Sequence, residues 1–493
     1  MKPWSRKEFL QTAAAATGAA LVTRSRAAAP TASANGNVRV AIVGLNGKGG
    51  AHLREFQKIP GVTIAALCDV DSQVLAKRAQ ELAKNNLQAA TYTDYRQVLA
   101  SRDVDAVVIA TPNHWHALMA IWGCQAGKDV YVEKPVSHNV WEGRQIIEAT
   151  RKYNRIVQTG TQSRSDIALA EAFAALQSGT YGRIQWARGL CYKARESIGR
   201  TSGPQPVPKH IDYDLWTGPA PLVPPRRNSA QHGPVHYDWH WFWPYGGGDI
   251  ANQGIHEMDM CRWVLGEAGL PPTVMSFGGR FGYEDDAETP NTQVAVYGYA
   301  KAPLIFEVRG LPRKTGEKAM DAYRGSRVGL VVQCEHGYFA GGAGGGAIYD
   351  HDHKKVKQFS GPGGGAHQAN FIAAVRSRKS SDLAAPIEGG HLSSALCHLG
   401  NISFRLGQNQ SNDAIKDAVA AHAPTHDSLA RMLDHLRANN VDVARTPTVI
   451  GPTLSLAPGS ESFASREKFD PGHWANTMLT RDYRPPFVVP AKV

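Results

Sequence analysis

No Cys-x-x-Cys pair occurs anywhere in the 493 residues. The six cysteines stand apart, and Cys68, Cys124, Cys261 and Cys397 lie in apolar stretches, where a thiol behaves as a small core residue. This signals neither a disulfide framework nor a thiolate zinc site. No apolar run is long and clean enough to span a bilayer. No internal repeat is present, and no low-complexity tract beyond one glycine-rich stretch, Gly337–Ala347, which reads as a loop. Long basic runs are also missing, although the net charge is +11. Part of that excess sits near the start, where Lys2, Arg6, Lys7, Arg24 and Arg26 face only Glu8. The rest is scattered, which fits a basic enzyme better than a nucleic-acid binder. The chain is too long for one ordinary domain.

Ser5-Arg6-Lys7-Glu8-Phe9-Leu10 precedes an alanine-rich stretch, and Ala27-Ala28-Ala29 follows it. Charged, apolar and small-residue segments in this order form an export signal. The segment resembles a twin-arginine signal with Lys7 in the second arginine's place. Residues 1–36 are therefore expected to be signal and linker, giving a periplasmic protein. The alternative is an uncleaved tail on a cytoplasmic one.

Residues 37–160 alternate β-branched runs (Val38–Val43, Val62–Cys68, Asp105–Ala110, Lys128–Val132, Ile156–Thr159, and a weaker Ala90–Tyr92) with helical patterns such as Ser72–Lys84 and Val140–Tyr153. This alternation predicts an α/β fold, a doubly wound parallel sheet. Residues 161–410 change pattern. A helix over Asp166–Ser178 is followed by strands at Ile184–Leu190, Thr273–Arg280, Gln293–Tyr299, Leu304–Arg309 and Val328–Gln333, with helices at Gly248–Leu265, His367–Arg378 and Gly389–Leu406. A second, α+β domain with a mostly antiparallel sheet is expected. Thr201–Pro244 reads as a loop. Residues 411–493 read as an extension packing on the domains, with a short helix at Ser428–Ala438 and a Pro-rich tail.

The first strand runs into Gly44-Leu45-Asn46-Gly47-Lys48-Gly49-Gly50. In a G-x-G-x-x-G pattern Gly44 and Gly49 hold the first and third places, and Asn46 the second, with Gly47 beside it. Such a turn lets a pyrophosphate approach the amides at a helix start, Lys48 among them. Asn46 fits the second place because asparagine tolerates left-handed backbone. Asp69 ends the next strand, where an acid binds both ribose hydroxyls and repels a 2′-phosphate. No Arg or Lys follows in Val70-Asp71-Ser72-Gln73, so NAD is favoured over NADP. Asp69 has an alternative role as a helix N-cap, for which Asp71 competes.

Thr111-Pro112-Asn113-His114-Trp115-His116 and Glu133-Lys134-Pro135 follow later strands. A lysine just past an apolar strand lies at the sheet's ligand-binding edge. Its ammonium can donate to a substrate hydroxyl and stabilise the alkoxide formed as a hydride leaves. The alternative is a surface lysine paired with Glu133.

Thr111-Pro112-Asn113-x-x-His116, Gly127-Lys128-x-Val130, Glu133-Lys134-Pro135 and Gly248-Asp249-x-x-Asn252-x-Gly254-x-His256 together resemble the glucose–fructose oxidoreductase / inositol dehydrogenase (Gfo/Idh/MocA) family over roughly residues 37–410. The resemblance implies a Rossmann domain followed by an α/β domain with an open sheet. It implies a catalytic Lys134 with a cis Lys134–Pro135 bond, and His256 as proton acceptor. Cofactor contacts fall on Thr111, Pro112, Asn113, His116 and Glu133. By analogy, a homo-oligomer forms through the open sheet face. Relatives often have Asp where this chain has Asn252, so Asp259 or Asp249 is the candidate substitute. His256 also has a plainer reading as a satisfied core histidine.

The run Trp239-His240-Trp241-Phe242-Trp243 precedes that helix. Trp239 and Trp243 suggest a platform for a sugar ring, with His240 and Asp238 binding hydroxyls. The alternative is that these tryptophans anchor a long loop. His232, His236 and His240 recur at four-residue spacing, but Pro234 argues against a helix there, so no metal site is expected. The leading expectation is an exported NAD-dependent oxidoreductase on a sugar or polyol, its cofactor bound tightly because free nicotinamide is scarce outside the cytoplasm. Glycoside cleavage through transient oxidation, and a non-catalytic sugar-binding protein, are the alternatives.

Overall fold

The computed structural model describes residues 36–493, and the expected export segment falls almost wholly outside the described residues. The first domain contains β1 (Val38–Val43), α1 (Lys48–Gln57), β2 (Val62–Cys68), α2 (Ser72–Ala83), β3 (Ala90–Tyr92), α3 (Tyr95–Ala100), β4 (Ala106–Ile109), α4 (Asn113–Gln125), β5 (Asp129–Val132), α5 (Val140–Tyr153) and β6 (Val157–Thr159). The six strands form one sheet in the order β3-β2-β1-β4-β5-β6, every pair parallel. All residues of β4 and β5 are buried, because helices cover both faces of such a sheet. The order reverses beside β1, which opens a crevice between the ends of β1 and β4.

The second domain adds α6 (Ile167–Gln177), β7 (Ile184–Tyr192), α7 (Tyr213–Thr217), α8 (Gly248–Asn252), α9 (Gly254–Leu265), β8 (Thr273–Gly279), β9 (Thr292–Tyr297), β10 (Leu304–Arg309), β11 (Val328–Cys334), β12 (Gly337–Gly342), β13 (Gly345–Tyr349), β14 (Lys355–Ser360), α10 (His367–Ser377), α11 (Ile387–Arg405) and β15 (Gln408–Gln410). Then follow α12 (Asn412–Val419), α13 (Ala423–Ala438), β16 (Thr448–Ile450), β17 (Leu454–Ser455) and α14 (Pro471–Thr477). The 11 strands form a mixed sheet, mostly antiparallel, with β7 and β10 as its parallel pair. On one face Phe306, Val308 and Leu330 pack on Ile255 of α9 and Leu396 of α11.

Two expectations fail here. Gly337–Ala347 is a strand hairpin, not a loop. Gly341 pairs with Gly346, and the Phe339 ring lies over both, so a Cβ on either would meet it at 2.7 and 2.5 Å. The expected helix Gly248–Leu265 is broken at Gln253 into α8 and α9.

The opposite sheet face is covered over β8–β10 by the chain itself: Phe277, Val294 and Ile305 pack on Ile415, Leu429 and Leu433 of α12 and α13. Beneath α13 lies a buried ion cluster. Glu307 is 1% exposed and faces Arg188 at 3.3 Å and Arg309 at 3.6 Å, and accepts hydrogen bonds from Arg431, Tyr192 and Ser428. Burial alone would raise its carboxyl, but the three arginines hold it down at about 2. Removing the acid leaves Arg188 and Arg431 with Asp427 and Arg309 with Asp321 as their remaining carboxylate partners, so the loss is at most about 3–5 kcal/mol. Glu307→Ala is expected to lower the denaturant midpoint accordingly, and an unchanged midpoint would show that the cluster contributes nothing.

Candidate active site

The crevice is a cleft of about 560 Å³ between the domains. Its floor starts at the glycine turn. Gly44 has φ +78°, and a Cβ there would lie 2.7 Å from the Ala110 carbonyl oxygen. A Cβ on Gly49 would lie 1.7 Å from the Gly44 oxygen. Left-handed backbone falls on Gly47 (φ +54°), not on Asn46, whose Oδ1 instead accepts from the Gly47 amide at 3.1 Å. Among the described residues no side chain caps α1, and while the Gly49 amide donates to the Asn46 carbonyl at 3.3 Å, the Lys48 and Gly50 amides remain available to an anion. Asp71 wins the competition for the cap of α2, accepting from Gln73 and Val74 at 2.9 and 3.1 Å. Asp69 keeps its place on the cleft and accepts from the Leu45 and Asp71 amides at 2.7 and 2.9 Å. Burial pushes its carboxyl up, against the pull of those two amides.

The ends of β4 and β5 form the next part of the wall. Thr111, Pro112 and Asn113 line it, and the buried Asn113 Oδ1 has no hydrogen-bond partner among the described residues, an acceptor suited to a ligand. His116 places its ring nitrogens 2.6 Å from the Pro135 oxygen and 2.8 Å from the Thr111 oxygen, so it braces the two cleft-facing segments together. Glu133 is 4% exposed and contacts His52 at 2.8 Å, Gln162 at 2.9 Å and Lys48 at 3.7 Å. Burial opposes its charge, but the His52 hydrogen bond and the Lys48 and Lys134 charges hold the carboxyl well below the usual range. The Lys134–Pro135 bond is cis.

Lys134 reaches across to the second domain, and its Nζ donates to the Asn252 carbonyl at 2.7 Å. Burial pushes this ammonium below the ordinary lysine value, with Glu133 partly restoring it. Asn252 therefore contributes its backbone to the lysine. His256 lines the same cleft, and no hydrogen bond to its ring is formed among the described residues. Burial and the neighbouring Lys134 charge lower it to about 3.

Neither proposed acid supports His256. Asp249 is clamped by Arg195 at 2.7 and 2.6 Å, and Asp259 by Arg164 at 2.7 and 2.8 Å with Ser393 at 2.6 Å. Glu257, adjacent in sequence, bonds Gln253 at 3.2 Å, and burial pushes it up to about 8.

The aromatic run divides. Trp239 and His240 line the cleft, but the His240 ring stacks on Trp239 at 3.6 Å and covers that face. Asp238 and Trp243 lie outside the lining: Asp238 is buried against Ser229, and Trp243 carries Arg405 on its face at 4.9 Å. The sequence reading missed Tyr237, and it weighed His236 only within the histidine spacing it set aside as a metal site. Tyr237 lines the cleft, and its hydroxyl accepts from Arg195 at 3.0 Å. His236 contacts Asp71 at 2.9 Å. Both belong to a segment without regular periodicity, so only the His/Trp enrichment of Thr201–Pro244 hinted at them.

A glycine turn with no room for side chains, an uncapped helix start, an acid at the end of β2 and an orphan acceptor after β4 together fit a dinucleotide. The class so defined is a Rossmann-fold dinucleotide-binding protein with a second domain facing the same cleft. Residues 38–161 match the family model "Oxidoreductase family, NAD-binding Rossmann fold", and residues 182–302 match the same family's C-terminal alpha/beta domain. The chain belongs to the Gfo/Idh/MocA family. It is similar to a glycosyl hydrolase family 109 protein of Shewanella sp. (strain W3-18-1), 32% identical over 155 residues, covering 30% of this chain and 33% of the relative. It is also similar to inositol 2-dehydrogenase of Salmonella paratyphi B, 30% identical over 181 residues, covering 36% of this chain and 52% of the relative. The match thus spans about a third of the length of the glycosyl hydrolase relatives. In fold it is similar to the WlbA dehydrogenase from Bordetella pertussis, solved with NADH and UDP-GlcNAcA, at 19% identity and TM-score 0.53, covering 74% of this chain and 96% of that one. An oxidoreductase domain protein from Kribbella flavida superposes at TM-score 0.55 and 18% identity, covering 74% of this chain and 96% of that one.

Gly49→Ala puts a methyl group into the Gly44 carbonyl. The variant is expected to lose NADH binding by at least tenfold in a fluorescence titration, and unchanged affinity would remove the turn from the cofactor site.

Proposed function

We propose that this protein oxidises a hydroxyl-bearing carbon of a sugar or polyol, with NAD as acceptor. The observation that carries this reading is the meeting, in one cleft, of the Lys134 ammonium, the His256 ring and the glycine turn. A nicotinamide bound there supplies the two-electron acceptor. His256, held neutral by burial, takes the hydroxyl proton. Lys134 donates to the same oxygen and stabilises its developing negative charge. Asn252 fixes the lysine through its carbonyl, and Glu133 offsets the lysine's burial. Tyr237, Trp239 and His240 face the sugar.

A second reading draws on the glycosyl hydrolase family 109 relatives, which match over 155 residues. Oxidation two carbons from the glycosidic carbon acidifies the C–H between them; that proton is lost and the aglycone leaves by elimination, water adds across the double bond, and the NADH formed in the oxidation reduces the ketone again. A keto-sugar product supports net oxidation, and a released aglycone supports cleavage. We also read residues 1–36 as a twin-arginine-like export signal and linker. Fractionation of cells producing the full chain tests this, since purely cytoplasmic recovery contradicts it.

Lys134→Ala is expected to lower turnover by orders of magnitude while NADH still binds, and near-normal turnover would remove Lys134 from the mechanism. The depressed His256 keeps the base neutral well below the ordinary histidine range. The acid limb of kcat/KM should therefore be absent down to about pH 5. An acid limb near pH 6.5 would contradict the role given to His256.

A further inference from the structure

One end of the cleft is not built by the Rossmann sheet alone. β3 lies at the sheet edge furthest from β5, so Thr93–Tyr95 mark the end remote from Lys134. The Asp69 amide donates to Tyr92 at 3.1 Å, which puts the acid beside that end. Trp115 and Trp122 of α4 line it, and so do Trp216 and Phe487 from far along the chain.

The insertion carrying Trp216 is fastened to the first domain along both rims. On one side the Ser72 amide donates to His210 at 2.9 Å and the Asp212 amide to Val70 at 3.0 Å, and His236 contacts Asp71 at 2.9 Å. On the other the Trp115 indole donates to the Leu215 and Trp216 carbonyls at 2.9 and 3.0 Å. The His114 ring meets the Trp216 carbonyl at 2.9 Å. Gly218 packs so close to Trp115 that a Cβ would lie 2.1 Å from its ring.

A later segment straps the insertion down. Arg484 donates to the Gly218 carbonyl at 2.9 Å, the Asp214 carboxylate at 2.6 Å and the Asp214 carbonyl at 2.7 Å. Arg481 donates to the His114 carbonyl at 3.0 Å, and Tyr483 to Glu142 at 3.0 Å. The strap ends by placing the Phe487 ring 5.3 Å from Trp115.

We propose that the insertion and the 481–487 strap form a clasp over the adenine end of the dinucleotide, which makes the cofactor a resident group rather than an exchanging cosubstrate. This rests on the NAD reading above and adds to it the residues that retain the molecule. Adenine is flat and largely apolar, and Trp122, Trp216 and Phe487 offer it aromatic contact. Release requires the clasp to open, and breaking its hydrogen bonds together slows dissociation.

The test loads the full chain with NADH, chases with excess NAD and follows the loss of bound NADH fluorescence. Arg484→Ala and Asp214→Asn weaken the strap from its two sides, and neither residue lines the cleft. Slow release from the unaltered protein, at least tenfold faster in either folded variant, is expected. Rapid release from the unaltered protein, or equal rates in variants whose circular dichroism and Tm match it, overturns the clasp while leaving the NAD reading intact. An unaltered protein that carries no copurified nucleotide and fails to bind NADH overturns both.

Discussion

The carboxylate of Glu133 is buried, ionised and shared among several parts of the molecule, and the rest of the site depends on how its charge is compensated. An isolated buried carboxylate would protonate rather than persist. Here His52 and Lys48 of α1, Gln162 after β6, and the adjacent Lys134 surround it. Gly160 makes room, since a Cβ there would lie 2.6 Å from the Glu133 oxygen. The helix that starts at the glycine turn and the strand that ends in the lysine are thereby held in one register. Lys134 then spends its donor on Asn252, so the same charge cluster ties the second domain to the first.

With that frame in place the two domains divide the work. The parallel sheet supplies the glycine turn, Asp69 and the lysine. The mixed sheet presents α8 and α9, which bring Asn252 and His256 to the cleft. Two nearby carboxylates are committed elsewhere, Asp249 to Arg195 and Asp259 to Arg164. Burial and the Lys134 charge lower His256 by more than Glu133 and Asp259 raise it, which favours its neutral form. The long insertion and the 481–487 strap contribute no motif of their own, yet they supply much of the cleft's aromatic wall.

The legible features were the local ones. β1 and β2 begin and end where the β-branched runs do, because buried parallel strands are near-continuous apolar segments, and the exposed edge strand β3 also matches its run. α5 matches its apolar periodicity from Val140 to Tyr153. Composition misled at Gly337–Ala347, where glycine is required by the Phe339 ring rather than by a loop. Periodicity could not show the interruption at Gln253, nor that Gly47 rather than Asn46 takes the left-handed turn. Long-range pairs were out of reach: Trp115 meets Trp216 across 101 positions, and Arg484 meets Gly218 across 266. The histidine and tryptophan spacing in the insertion carried no sign that Tyr237 and His236 would face the cleft while Trp243 and Asp238 would not.

The most direct test of the account is to purify the protein without added nucleotide, denature it, and identify any released small molecule by mass spectrometry. Near-stoichiometric NAD or NADH is the predicted result. A nucleotide-free protein that takes up neither NAD nor NADH when they are supplied would contradict the account.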